Sequence, residues 1–187
     1  MKNKKYIAVV GLPGSGKSEA IEYLEKKYKL LKVYFGDVTF DEMKKRKLEI
    51  NEKNERSVRE DLRKKFGQDY YCKKVIEKIL KLPKNANVLV ESLYSWQEYS
   101  GFKNKFGGDF LTLAIYASPI IRYARLGKRK VRPLTAHESQ SRDYAQIENL
   151  LQGGPIAMAD FTIINEGTKK DLEERLNKIY RKINAKN

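Results

Sequence analysis

The residues Gly11-Leu12-Pro13-Gly14-Ser15-Gly16-Lys17-Ser18 hold the densest chemistry in the chain. They satisfy G-x-x-x-x-G-K-[ST], a pattern in which a loop of small residues wraps a phosphate in consecutive backbone N–H groups. Gly11, Gly14 and Gly16 leave room for that wrap, and Pro13 and Ser15 complete the loop. Lys17 brings a charge toward the β- and γ-phosphates, and Ser18 offers a hydroxyl to Mg²⁺. The apolar run at 6–10 reads as a strand entering the loop. The segment from Lys17 to about Tyr28 reads as a helix whose positive dipole end faces the anion. Strand, loop and helix in that order point to binding of a nucleoside triphosphate.

Three further sets of residues suit the same chemistry. Asp37 and Glu91 each close an apolar run, and carboxylates at strand ends can both place Mg²⁺ and orient an attacking oxygen. Asp37 can equally cap the helix expected at 38–47. Arg122, Arg125 and Arg129 are spaced by three and four, along one face of a helix starting near Pro119. Like charges stacked this way repel unless a polyphosphate lies against them, where arginine forks can bind its oxygens. The basic run 128–133 and a second helix containing Arg142 and Asp143 follow, so that 127–145 reads as a mobile lid. The third set is Asn165-Glu166-Gly167-Thr168, after the last apolar run.

The elements that must position these groups alternate in type. Strands are expected at 6–10, 30–35, 87–91, 110–117 and 161–164, all short and apolar. A helical region spans 38–82, with a turn at 66–69 and a stop at Pro83. Apolar runs separated by helices indicate a parallel sheet covered on both faces, with ligands gathered at the carboxyl ends of the strands. The phosphate loop, Asp37, Glu91 and the 165–168 loop then share one rim. The length, 187 residues, suits one domain with a small insertion.

The chain carries 39 basic and 24 acidic residues, a net charge of +15. Nucleic acid would fit such a charge if the lysines formed a stripe, but most are interleaved with glutamates, as in Ile21-Glu22-Tyr23-Leu24-Glu25-Lys26-Lys27. A small polyphosphate is the better partner. The single cysteine, Cys72, excludes an intramolecular disulfide and a multi-cysteine zinc site, and points to a reducing, cytoplasmic setting. No apolar run approaches the length of a membrane span.

Taken together, several motifs resemble one family. They are the phosphate loop, Gly36-Asp37, Leu62-Arg63 with Gly67, Ala117-Ser118-Pro119 with Arg122 and Arg125, Arg142-Asp143, and Ala159-Asp160 leading to Asn165-Glu166-Gly167. In that order they resemble the uncharacterised, mainly archaeal P-loop kinases related to adenylate kinase and dephospho-CoA kinase. The resemblance spans nearly the whole chain. It implies a three-layer α/β, nucleoside monophosphate kinase-like fold: a five-stranded parallel sheet, a helical acceptor-binding insertion at about 38–82 and a lid at about 127–145.

The activity implied is phosphoryl transfer from ATP, with Mg²⁺, to a nucleotide-like or coenzyme-like small molecule. Carried over residue by residue, 11–18, with Lys17 and Ser18, would hold the donor phosphates and Mg²⁺, beside the carboxylates Asp37 and Glu91 already read from the strand ends. Arg125 and Arg129 would flank the donor, Arg142 would close onto the transferring phosphoryl, and Asn165 and Gly167 would border adenine. Two arginines that grip the acceptor phosphate in many relatives are replaced, by Phe40 and by Glu91-Ser92-Leu93-Tyr94. Arg59, Arg63 or Lys73 could take their place, and Tyr94 or Trp96 could stack on a planar group. An NTPase or nucleotide-sensing switch without acceptor chemistry is the second reading.

Overall fold

The computed structural model describes residues 4–83 and 85–185. Five strands, β1 (Tyr6–Val10), β2 (Leu31–Tyr34), β3 (Val88–Glu91), β4 (Phe110–Tyr116) and β5 (Phe161–Ile164), form one sheet in the order β2-β3-β1-β4-β5. Every pairing is parallel. Ile7 lies between Leu89 and Leu111, and Tyr34 is opposite Glu91. The sheet interior is apolar on both faces because helices cover both, which is why these strands read as continuous apolar runs rather than alternating ones.

One core lies under α1 (Lys17–Tyr28) and α9 (Lys169–Ala185), where Ile7, Val9, Leu89, Leu113 and Ile115 meet Leu24, Leu172 and Leu176. The opposite face carries α2 (Asp37–Lys45), α3 (Glu52–Phe66), α4 (Tyr70–Leu80) and α5 (Trp96–Phe106), with Val33, Val88, Val90 and Ala114 packed against Met43, Leu62, Val75 and Phe102. The expected strands are all present, each ending within two residues of its sequence bounds.

The 38–82 region resolves into three helices. The break at 67–69 falls where a turn was expected, with Gly67 at φ 94°. A second break, at 46–51, was not anticipated. Asn51 makes it, accepting a 2.9 Å bond from the Asn54 N–H to cap α3.

After β4 come α6 (Pro119–Gly127), an exposed connection, α7 (Ala136–Leu150), and the short α8 (Gly153–Ala157). Pro119 opens α6 at a position where its missing N–H costs nothing. Thr135 and Glu138 form a reciprocal capping box at the start of α7. The arginine face expected on α6 is not formed: Arg122 turns inward, 3% exposed, and α6 ends before Arg129.

Candidate nucleotide-binding and transfer site

The phosphate loop is shaped by four side chains that each take one of its carbonyls, Lys17 from the loop itself and three from outside it. Gln152 Nε2 donates to Gly11 O at 3.0 Å, Lys17 Nζ to Leu12 O at 3.0 Å, Arg122 Nη1 to Pro13 O at 3.1 Å and Asn165 Nδ2 to Ser15 O at 2.8 Å. With these carbonyls engaged, and the Ser15 N–H turned back to Leu12 O at 3.2 Å, the loop is held in one shape. The glycines are required sterically as well as conformationally. A Cβ on Gly11 would sit 2.3 Å from Ile115 O, and one on Gly14 2.7 Å from Arg122 O, both of them backbone. Gly14 and Gly16 take φ of 80° and 101°, a region L side chains rarely adopt.

Over this loop opens a cavity of about 500 Å³, lined in part by Pro13, Gly14, Gly16, Lys17, Ser18 and Glu19. Arg125 of α6, Arg129 just beyond it and Arg142 of α7 close the far side, and Asn165, Gly167 and Lys169 line one end. Burial is the main reason the Lys17 ammonium is held down to about 8; the fields of Arg122, Arg129 and Arg142 lower it further, and Asp143 acts the other way. Among the described residues, Arg125 Nη1 and Gln146 Oε1 are buried at this cavity without a partner in the protein. A site so rich in donors fits a polyphosphate, whose oxygens only accept.

Arg122 is not part of the lining. It makes a two-pronged buried pair with Asp143, Nη1–Oδ1 at 2.9 Å and Nη2–Oδ2 at 2.7 Å, and donates from Nε to Ala117 O. Through it α6, α7 and the phosphate loop are joined at one guanidinium.

A second, smaller pocket of about 100 Å³ adjoins the rim. Its walls include Tyr34, Thr39, Phe40, Glu55, Arg59, Arg63, Tyr71, Ser92 and Glu98, from β2, α2, α3, α4, the segment after β3 and α5. Tyr94 lines both this pocket and the larger cavity. Its hydroxyl is 2.9 Å from Ser92 Oγ, and Ser92 takes φ 66°, unusual for a residue with a side chain. Glu98 accepts from the N–H groups of Tyr94 and Ser95 at 2.8 and 3.0 Å, fixing the segment. Burial raises the Glu98 pKa, and these bonds and Arg63 offset part of that rise.

The structure therefore brings Gly14, Gly16, Lys17, Ser18, Arg125, Arg129, Arg142, Asn165 and Gly167 to one cavity and Arg59 and Arg63 to its neighbour, with Tyr94 between. It does not bring Asp37 or Glu91 to either wall. Asp37 occupies the first turn of α2, after Gly36 as the cap, and makes no capping bond. Glu91 lies 3.7 Å from Lys32 Nζ, which projects from the neighbouring edge strand β2 two residues before Tyr34, the register partner of Glu91. Both remain close enough to help raise the Tyr34 pKa, though burial and Tyr94 do more. Among the described residues no cluster of three or more His, Cys, Asp or Glu could hold a metal. Lys73 pairs with Asp69 at 2.6 Å and lines neither space. Asn165 serves chiefly as a prop for the loop. Gln152 and Gln146 escaped sequence reasoning, since a lone glutamine carries no pattern.

A family model described as an AAA domain matches residues 7–146. Among curated relatives, a UPF0200 protein of Thermococcus onnurineus is 33% identical over 183 residues, covering 96% of this chain and 98% of its own. A UPF0200 protein of Methanocaldococcus jannaschii is 35% identical, covering 95% and 89%. Among solved structures, TT1252 from Thermus thermophilus superposes with TM-score 0.63 at 18% identity, covering 97% of this chain and 98% of its own. Shikimate kinase from Bacteroides thetaiotaomicron gives 0.61 at 12% identity, covering 95% and 98%. A gluconokinase from Sinorhizobium meliloti gives 0.62 at 11%, covering 100% and 97%. At such identities the likeness shows the fold, which is that of P-loop kinases. With its loop, its sheet order and relatives matching along nearly its whole length, the chain belongs to the archaeal UPF0200 family of P-loop proteins.

Proposed function

We propose that the protein transfers the γ-phosphoryl group of ATP to a small-molecule acceptor of nucleotide-like or coenzyme-like kind. One observation carries the reading: a cationic cavity over the phosphate loop meets a separate aromatic-walled pocket at a shared residue, Tyr94. Two adjoining spaces with one junction suit a donor and an acceptor held in line, which is most of what phosphoryl transfer asks of a protein. The loop N–H groups and Lys17 hold the donor phosphates, and Arg125, Arg129 and Arg142 spread charge over the transferring group. Gly167 borders the donor's nucleoside end. Ser18 is the residue of this chain that would hold Mg²⁺, through its hydroxyl. When bound, the metal neutralises charge on the phosphates. Asp37 and Glu91 stand outside that cavity and are given no direct bond to it. The solved shikimate kinase and gluconokinase, both named for transfer to small molecules, support the reading by fold.

The test is to incubate the protein with Mg-ATP and a panel of nucleosides, nucleoside monophosphates, dephospho-CoA and sugar acids, and to identify phosphorylated products by mass. Lys17→Ala is expected to lower turnover a hundred- to thousandfold, about 3–4 kcal/mol of transition-state stabilisation, with the fold retained. Unchanged turnover in that variant would remove the donor site from the loop. Slow hydrolysis with no phosphorylated acceptor would favour an NTPase.

A further inference from the structure

Resting on the kinase reading, we infer that the acceptor is an uncharged alcohol carrying one planar polar ring, of the nucleoside class, and not a phosphomonoester such as a nucleoside monophosphate. The two spaces that meet at Tyr94 differ sharply in charge. Lys17, Arg125, Arg129, Arg142 and Lys169 line the donor cavity against Glu19 as its acidic residue. In the acceptor pocket Arg59 and Arg63 face Glu55 and Glu98. Arg59 is paired with Glu55 one helical turn away, at 3.4 Å. Arg63 lies over the Tyr71 ring at 5.0 Å, and its field reaches the Glu98 carboxylate. Asp37 and Glu91 add further negative field at Tyr34 from beyond the wall.

A phosphomonoester brings a charge of about −1.5 to −2 at neutral pH and must be met by an excess of positive charge when it leaves water. The chain has such an excess overall, +15, yet its acceptor pocket carries none. What the pocket offers is suited to a ring. Tyr34, Phe40, Tyr71 and Tyr94 supply aromatic walls, with Tyr34 and Phe40 6.3 Å apart and tilted at 42°. The hydrogen-bonded pair Thr39–Tyr71, at 2.8 Å, and the Arg and Glu side chains mix donors with acceptors, as the edge of a heteroaromatic ring requires. The space, about 100 Å³, is below the roughly 150 Å³ of a cavity known to take benzene, so it seats one ring only in part, the rest of the ligand lying toward the donor cavity, and leaves no room for a fused double ring.

A ligand seated this way presents its hydroxyl past Tyr94 to the donor cavity. The hydroxyl oxygen attacks the γ-phosphorus and forms the new P–O bond. The bond from that phosphorus to the β–γ bridging oxygen breaks, its electron pair leaving with ADP, and the hydroxyl proton passes to bulk water.

The test gives the full chain Mg-ATP with cytidine, uridine or thymidine in one series and the matching 5′-monophosphates in the other. At least one nucleoside is expected to be phosphorylated with kcat/KM at least tenfold above that of its own monophosphate. Glu55→Gln, which removes one negative charge from the pocket beside Arg59, is expected to narrow that ratio about tenfold toward the monophosphate. Being a ratio on one enzyme, it does not move with the fraction folded. ATP binding without acceptor, by calorimetry, reports on the donor site alone. A monophosphate preferred over its nucleoside, or ATP bound with no nucleoside phosphorylated, overturns the inference and leaves the donor site standing. Failure to bind ATP overturns both.

Discussion

Lys17 shows in one side chain how the site is poised. It donates to Leu12 O at 3.0 Å, and burial, with Arg122, Arg129 and Arg142 nearby, holds its ammonium at about 8. A lysine so depressed binds fewer protons folded than unfolded between about 8 and 10.5, so raising the pH through that window increases stability. Lys17→Met is accordingly expected to stabilise the ligand-free protein by about 1–2 kcal/mol in urea unfolding at pH 7, the difference shrinking toward pH 10. Bound phosphates reverse the balance of fields. At pH 8, ATP binding is expected to take up about half a proton, read from calorimetry in two buffers of different ionisation enthalpy. No uptake, or the same uptake in Lys17→Met, would place the bound phosphates away from this lysine.

Helices α6 and α7 are held by the pair Arg122–Asp143, whose side chains are 4% and 6% exposed. Tyr123 OH adds a 3.0 Å bond to Asp143 Oδ2. Removing one member strands a buried charge, so Arg122→Ala or Asp143→Ala is expected to cost about 3–5 kcal/mol in denaturant unfolding. Replacing both, as Arg122→Met with Asp143→Leu, is expected to cost much less than the two singles together. The double variant should still bind ATP poorly, because Pro13 O has lost its donor and the loop its outer support. Tight ATP binding by that variant would show that the loop keeps its shape without the Arg122 donor, on Gln152, Lys17 and Asn165 alone.

Across the whole molecule the charge is unevenly spent. Many lysines and arginines sit in surface pairs such as Glu22–Lys26, Arg56–Glu60 and Asp69–Lys73, at 2.7, 2.8 and 2.6 Å, each worth little to stability. An excess of cations, Lys17, Arg125, Arg129, Arg142 and Lys169 against Glu19, lines the cavity over the phosphate loop. The pair Arg122–Asp143 ties down the body of α7, so the piece we propose to move is the exposed 128–135 rather than all of 127–145. Hydrogen exchange should show slowing at 128–135 with ATP and more with ATP and acceptor together, while 139–147 is already slow in the free protein. Equal exchange at 128–135 in all three states would make it a static surface turn.

Much of this was readable without coordinates. The phosphate loop is a local device, set by glycines and a lysine at fixed offsets. The strands are legible because a parallel sheet buried on both faces demands short apolar runs, and all five are found. The Asn51 cap that divides 38–82 is a local signal as well, an asparagine accepting from the N–H three residues on. What periodicity could not decide was direction. Arg122, Arg125 and Arg129 share a spacing, yet one is a buried strut and two line a cavity, because α7 supplies Asp143 to the first from 21 residues away. In the same way Gln152 reaches Gly11 across 141 residues, and Arg59 is matched by Glu55 inside a pocket that four helices and strands must close before its charge can be counted. Residue type and spacing state which interactions a side chain can make; only the packed chain, by bringing distant partners within 3 or 4 Å and excluding water, selects among them.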